Sequence, residues 1–271
     1  MQGQPLLQVR DLSKAFPVEG GRRLVAVDGV DLEIAAGETL ALVGESGSGK
    51  STVARCIVRL IDPTSGGVRL AGREISDISR RLLQPHRQKI QIVFQDPYRS
   101  LNPRRTVGAA IVEGPMNYGA SQREALRRAR QLMELVRLDP KVLDRYPHQF
   151  SGGQRQRICI ARSLAMEPDL LIADEAVSAL DVSVQAQVLA LLDEIRRRLD
   201  LAMLFITHDL RVAAQVCDRV AVMTHGRIVE YGPIAEVFAH PRDAYTRALL
   251  AAAPGRRWDF SGGVARPAPG S

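Results

Sequence analysis

Apolar residues recur along this chain in two rhythms. Short runs of strand character open it: Leu6-Leu7-Gln8-Val9-Arg10, Leu24-Val25-Ala26-Val27 and the alternating Val30-Asp31-Leu32-Glu33-Ile34. They predict a small antiparallel sheet. Thr39-Leu40-Ala41-Leu42-Val43 is an apolar run that leads into a helix-like stretch from Val53 to Val58. A turn over Pro63-Thr64-Ser65-Gly66-Gly67 precedes the strand-like Val68-Arg69-Leu70, and Ile90–Phe94 reads as a buried strand. From about Asp96 to Ala165 the pattern turns helical. Ser121-Gln122-Arg123-Glu124 has the form of a capping box, and Leu126, Ala129, Leu132, Met133 and Val136 mark one helix face. Strands and helices then alternate again. Leu170–Ala173 is continuously apolar, as in a parallel sheet covered on both faces. Val184, Val188, Leu191, Leu192, Ile195 and Leu199 form a helix stripe, and Ala202–Ile206 and Val220–Met223 are further strands. The expected fold is α/β, with a mostly parallel sheet, an N-terminal antiparallel β subdomain and a helical insertion over about 96–165. Pro254-Gly255 breaks the last helical pattern, and the stretch 252–271, with Pro267, Pro269 and Gly270, is expected to be a mobile tail.

At 271 residues the chain holds one large domain, or a domain with a subdomain. No window approaches the ~18–20 apolar residues that span a bilayer. Met1–Arg10 lacks the basic-then-apolar order of a signal peptide, which predicts a cytosolic chain. The net charge of +7 comes mainly from arginine, in clusters far apart in sequence: Arg104-Arg105, Arg127-Arg128 and Arg196-Arg197-Arg198. With aromatics at only 4%, the basic residues do not read as a nucleic-acid platform. Contact with acidic headgroups beneath a membrane stays open. Cys56, Cys159 and Cys217 are isolated, which supports buried thiols rather than disulfides or metal ligation.

The chemistry begins after the apolar run that ends at Val43. Gly44-Glu45-Ser46-Gly47-Ser48-Gly49-Lys50-Ser51-Thr52 has the spacing G-x-x-x-x-G-K-[ST] between a strand and a helix. Glycines let the loop curl and turn its N–H groups inward, and the helix that follows adds the positive end of its dipole. The result is a phosphate cradle. Lys50 suits β- and γ-phosphates, and the Ser51 hydroxyl suits Mg²⁺. Farther on, Asp174-Glu175 closes an apolar strand with two carboxylates, one suited to Mg²⁺ and one to accept a proton from water. Between them, Phe150-Ser151-Gly152-Gly153-Gln154 opens a helix expected to run from about Arg155 to Ala165, a second anion-receiving turn.

In this order the motifs resemble those of ATP-binding cassette (ABC) ATPases, over nearly the whole chain. Gly44 to Thr52 is similar to the family's phosphate loop, Gln95 to its Gln-loop residue, and Phe150 to Gln154 to its Leu-Ser-Gly-Gly-Gln signature. Asp174 and Glu175 resemble the metal-binding and base carboxylates, Ser178-Ala179-Leu180-Asp181 the D-loop and His208 the switch histidine. Phe16 stands where the family carries an adenine-stacking aromatic. Plainer roles compete: Phe16 as a core residue, Gln95 and His208 as locally satisfied strand-end residues, Asp181 as a helix N-cap. The chain departs from the family pattern at Phe150, in place of Leu, and at Ala176-Val177, in place of Pro-Thr. Neither change removes a catalytic group.

Finer likenesses point to the peptide/nickel importer subfamily: Gln95–Pro103, Ser178–Gln185, and the segment from His240 to Leu250 inside a C-terminal extension of about 232–251. In the last, Arg242-Asp243-Ala244 interrupts the subfamily's His-Pro-Tyr order. The resemblance implies an ATPase domain over about 1–251, with ATP and Mg²⁺ as cofactors and Ser51, Gln95 and Asp174 around the metal. It implies two ATPase subunits, identical or paralogous, facing head to tail. ATP on Lys50, Ser51 and Thr52 of one would be sealed by Ser151 and Gly153 of the other. It also implies a membrane permease docked near Gln95–Gly119, a solute-binding protein acting indirectly, and a place on the cytoplasmic face of the membrane. The expected cargo is di- or oligopeptides, with nickel or another small solute as the alternative. A soluble ABC ATPase acting on ribosomes or DNA is the reading from a different class.

Overall fold

The computed structural model describes residues 4–253, with the backbone of 258–259 and 266–267. In chain order the elements are β1 (Leu7–Pro17), β2 (Arg23–Ile34), β3 (Thr39–Val43), α1 (Lys50–Ile57), β4 (Ser65–Leu70), β5 (Arg73–Glu74), α2 (Arg80–Lys89), β6 (Ile90–Val93), α3 (Pro97–Ser100), α4 (Val107–Asn117), α5 (Gln122–Leu135), α6 (Gly152–Leu164), β7 (Leu170–Asp174), α7 (Val182–Leu199), β8 (Ala202–Thr207), α8 (Leu210–Val216), β9 (Arg219–Thr224), β10 (Arg227–Pro233), α9 (Ile234–Ala239) and α10 (Ala244–Ala252). The expected mobile tail falls almost wholly outside the described residues.

Two compact units emerge. One runs to His86 and resumes at Ala202; the other is Arg87–Leu201. In the first, β2-β1-β4-β5 form an antiparallel sheet. The two runs expected at 24–27 and 30–34 are one strand, β2, whose register against β1 shifts at irregularities between Val9 and Ala15. A bulge absorbs the polar Asp28-Gly29 break that made the sequence look like two strands. The same unit holds β10-β9-β3-β8, in which β3 is parallel to both neighbours and β10 is antiparallel to β9. All five residues of β3 are buried, as a strand covered on both faces requires.

In the second unit β6 and β7 pair in parallel, Ile90 with Leu170 through Val93 with Ala173. Helices α3 to α6 occupy the expected helical stretch. Ser121 and Glu124 close the anticipated capping box on α5. The buried face of α5 carries Ala125, Ala129, Leu132 and Met133, whereas Leu126 is only partly covered. Helix α7 buries Val188, Leu189, Leu191, Leu192 and Ile195, while the ends of its stripe, Val184 and Leu199, are not buried. Helix α6 begins at Gly152, three residues before the expected start, because Ser151 itself is the N-cap.

Candidate functional site

The phosphate loop joins β3 to α1 in the first unit. Gly44, Gly47 and Gly49 have φ of 151°, 83° and 109°, conformations that L side chains resist. Two of them also have no room for a side chain. A Cβ on Gly44 would lie 2.0 Å from the Met223 carbonyl oxygen, and one on Gly49 would lie 2.3 Å from that of Ala26. The β9–β10 turn braces the loop further, with the Gly226 N–H donating to the Ser48 carbonyl at 3.0 Å. Lys50 is 4% exposed. Its Nζ donates to the carbonyls of Gly44 (2.8 Å) and Glu45 (2.7 Å) and to Ser48 Oγ (3.3 Å). The ammonium is thus held at the mouth of the loop by the loop itself. Ser51 and Thr52 follow in the first turn of α1.

His208 directly follows β8, and Thr207 is in register with Val43, the residue before the loop. The sheet therefore brings the histidine to the edge from which the loop springs. His208 is exposed. The turn that carries it is tight: Asp209 N–H donates to Thr207 Oγ1 at 3.0 Å, and the Asp209 carboxylate caps α8 through the Arg211 N–H at 2.9 Å. Burial works against ionisation of Asp209, but the bonds from Arg211 prevail and hold its carboxyl below the usual value. Phe16, on β1, is half-buried rather than part of the core, with Lys14 Nζ 5.1 Å from its ring centroid.

The second unit gathers the other predicted residues. Asp174 ends β7 and is buried. Glu175 follows with φ of 50°, left-handed backbone on a residue that is not glycine. The parallel register of β6 with β7 carries Gln95 to the same sheet edge. Gln95 Nε2 donates to Ser178 Oγ at 3.1 Å, and Ser178 Oγ donates to the Glu175 carbonyl at 2.9 Å. Sequence reasoning gave Ser178 a place in the D-loop but not this bond to Gln95. Ala176 and Val177 are buried, so the departures from Pro-Thr serve as packing residues.

The signature turn is built as a reciprocal cap. Ser151 Oγ accepts the Gln154 N–H at 3.3 Å, and Gln154 Oε1 accepts the Ser151 N–H at 3.0 Å. Gly153 faces Val184 of α7, where a Cβ would come within 2.3 Å of Val184 Cγ1; Gly152 has more room, 3.7 Å from Leu180. Asp181 occupies the N-cap position of α7, yet its side chain makes no capping bond. The plainer role for Asp181 therefore has no hydrogen bond behind it. Among the described residues no group of three or more His, Cys, Asp or Glu could hold a metal ion. Cys56, Cys159 and Cys217 form no disulfide and are buried. A contact of the loop that sequence reasoning missed is that of Tyr245, whose hydroxyl accepts the Glu45 N–H at 3.0 Å. No local pattern links two residues 200 positions apart.

Comparison with known proteins bears on the family. The family described as ABC transporter matches residues 27–178. A "Putative peptide import ATP-binding protein" of Brucella ovis is 49% identical over 255 residues, covering 94% of this chain and 80% of that protein. Glutathione import ATP-binding protein GsiA of Salmonella paratyphi A is 49% identical over 261 residues, 94% of this chain but 42% of that longer protein. Among solved structures, cbiO1 of Clostridium perfringens, part of the ABC transporter complex cbiONQ, superposes with a TM-score of 0.77 at 31% identity, over 88% of this chain and 92% of that one. The ATP-binding cassette MJ0796, a dimer in a post-hydrolysis state bound to ADP and Pi, gives 0.76 at 28% identity, over 84% and 98%. A phosphate loop with its lysine in place, a Ser-Gly-Gly helix start and an Asp-Glu strand end, together with these matches, settle the family: the chain belongs to the ABC transporter family, as one of its ATPase cassettes.

Proposed function

We propose that the chain is the ATP-hydrolysing subunit of a membrane importer of di- or oligopeptides. The observation that carries the ATPase half is the phosphate loop, already closed around Lys50 Nζ and backed by strand carbonyls. Nucleotide would exchange some of these bonds from Lys50 Nζ for bonds to phosphate oxygens. The backbone N–H groups around Gly47–Thr52 would take the α- and β-phosphates, and Lys50 the β and γ. Phe16 would stack on adenine. Glu175 would polarise the attacking water, and His208 would steady the γ-phosphate. Ser51, Gln95 and Asp174 offer a hydroxyl, an amide carbonyl and a carboxylate, the oxygen donors that Mg²⁺ takes beside phosphate. The Gln95 side chain is consistent with this: its Nε2 donates to Ser178 Oγ, and its Oε1 is the atom that would face the metal. Bound Mg²⁺ would neutralise charge on the β- and γ-phosphates.

The importer half rests on kinship with import ATP-binding proteins at 49% identity. No helix among the described residues is long and apolar enough to cross a membrane. In this reading the permease is a separate membrane-spanning chain, and this chain would work from its cytoplasmic face. The helical stretch near Gln95–Gly119 is the docking platform of this reading. A solute-binding protein on the far side would choose the cargo. The test is peptide uptake by cells with and without the chain. Uptake that needs the wild type and is lost with Lys50→Ala supports the reading; uptake indifferent to Lys50 refutes it.

A further inference from the structure

Helix α10 begins at an end tied twice. The Asp243 carboxylate accepts the N–H groups of Tyr245 (2.8 Å) and Thr246 (3.4 Å). One residue earlier, Glu230 on β10 accepts the N–H groups of Arg242 (2.8 Å) and Asp243 (3.1 Å). The Arg247 guanidinium adds a bond to the Arg242 carbonyl at 2.6 Å. These bonds fix the first turn of α10 to β10, and that turn presents Tyr245. The tyrosine hydroxyl accepts the Glu45 N–H at 3.0 Å, and the Glu45 carbonyl accepts Lys50 Nζ at 2.7 Å. A single loop residue is thus gripped at both ends, by the tyrosine on its N–H and by the phosphate-binding lysine on its C=O.

The rest of the loop shows what this grip adds. Its feet are wedged, Gly44 against Met223 and Gly49 against Ala26. Its arch is open: a Cβ on Gly47 would meet nothing within 4 Å. Glu45 lies between foot and arch and is exposed, so water could satisfy its N–H. What Tyr245 supplies is rigidity, from a ring with few rotatable bonds on a doubly capped helix.

We propose that Tyr245 is a positioning residue for the nucleotide site, fixing Glu45 and through it the Lys50 ammonium. The C-terminal helix is then a working part of the phosphate cradle. The proposal rests on the reading that the loop binds ATP. Tyr245→Phe keeps the ring and removes the hydroxyl. Titrating the full chain with a fluorescent ATP analogue and Mg²⁺ should show Kd raised roughly 3- to 10-fold, the worth of one hydrogen bond. The unfolding temperature should hold. A merely structural tyrosine would show the reverse, a lower unfolding temperature with unchanged Kd. Glu230→Gln, which loosens the start of α10, should weaken nucleotide in the same direction and add little on top of Tyr245→Phe. Wild-type affinity in Tyr245→Phe overturns the proposal, as does full additivity of the two substitutions. Failure of the wild type to bind MgATP would instead overturn the ATPase reading, so the two failures are distinct.

Discussion

Glu175 shows how one residue's backbone shapes its chemistry. With φ of 50° it sits where a side chain costs energy, immediately after the buried strand end at Asp174. That kink sends two adjacent carboxylates into different surroundings, Asp174 buried and Glu175 partly open. Glu175→Gln keeps the shape and removes the proposed base. Phosphate release should fall by about 100-fold or more, while ATP binding persists. Near-normal steady-state turnover in the purified variant would refute the assignment. The cysteines make a second residue-scale prediction. Burial pushes the thiols of Cys56 and Cys159 up from 9.0 to about 11. Between those values the unfolded chain has released thiol protons that the native chain retains, so the unfolded state binds fewer protons and stability falls as pH rises. Replacing both with alanine should flatten the part of the decline from pH 9 to 11 that these groups cause, read by denaturant melts of both proteins. An unchanged slope would mean that the thiols ionise freely in the fold.

At the scale of elements the decisive contact is α6 against α7. Gly153 has no tolerance for a methyl, because Val184 Cγ1 stands 2.3 Å from where it would go. Gly153→Ala should cost about 1–3 kcal/mol of stability, as overpacking does. Val184→Ala in the same chain should restore most of it; a double variant no more stable than the single would locate the problem elsewhere. Such contacts mark the boundary of what could be read in advance. The apolar runs of β3, β7 and β8 and the capping box of α5 are local signals, and they are legible because burial on both faces and reciprocal caps leave their own composition. The phosphate loop and the Asp174-Glu175 strand end are legible for the same reason, since the chemistry lies in consecutive residues. The bulged length of β2, the Gln95–Ser178 bond and the Tyr245–Glu45 bond are not. Each joins residues that only tertiary structure brings together, and a hydrogen bond at a distance has no periodicity to detect.

For the molecule as a whole, the proposed mechanism uses two turns that fall in different units. The loop at Lys50 lies in one compact unit and the turn at Ser151 in the other. In the proposed mechanism ATP on the first is sealed by the second from a partner subunit. Ser151 is exposed, as that role demands, and the side chain of Asp181 is uncommitted at its N-cap. Beside it Val182 is 83% exposed, an apolar side chain that gains by being covered. In that mechanism ATP would lie as a polyanion between two sets of N–H donors, so association should depend on nucleotide. Glu175→Gln, expected to preserve bound ATP, should shift from monomer to dimer on addition of MgATP in sedimentation velocity, either with itself or with a paralogous partner subunit. Ser151→Asp should abolish the shift while leaving ATP binding to the loop intact, because it sets a carboxylate against the triphosphate across the seam. Lys50→Ala should abolish it by losing the nucleotide. A dimer that forms equally well without ATP, or that tolerates the aspartate, would mean that the subunits meet through some other surface and that the Ser151 turn does not complete the site.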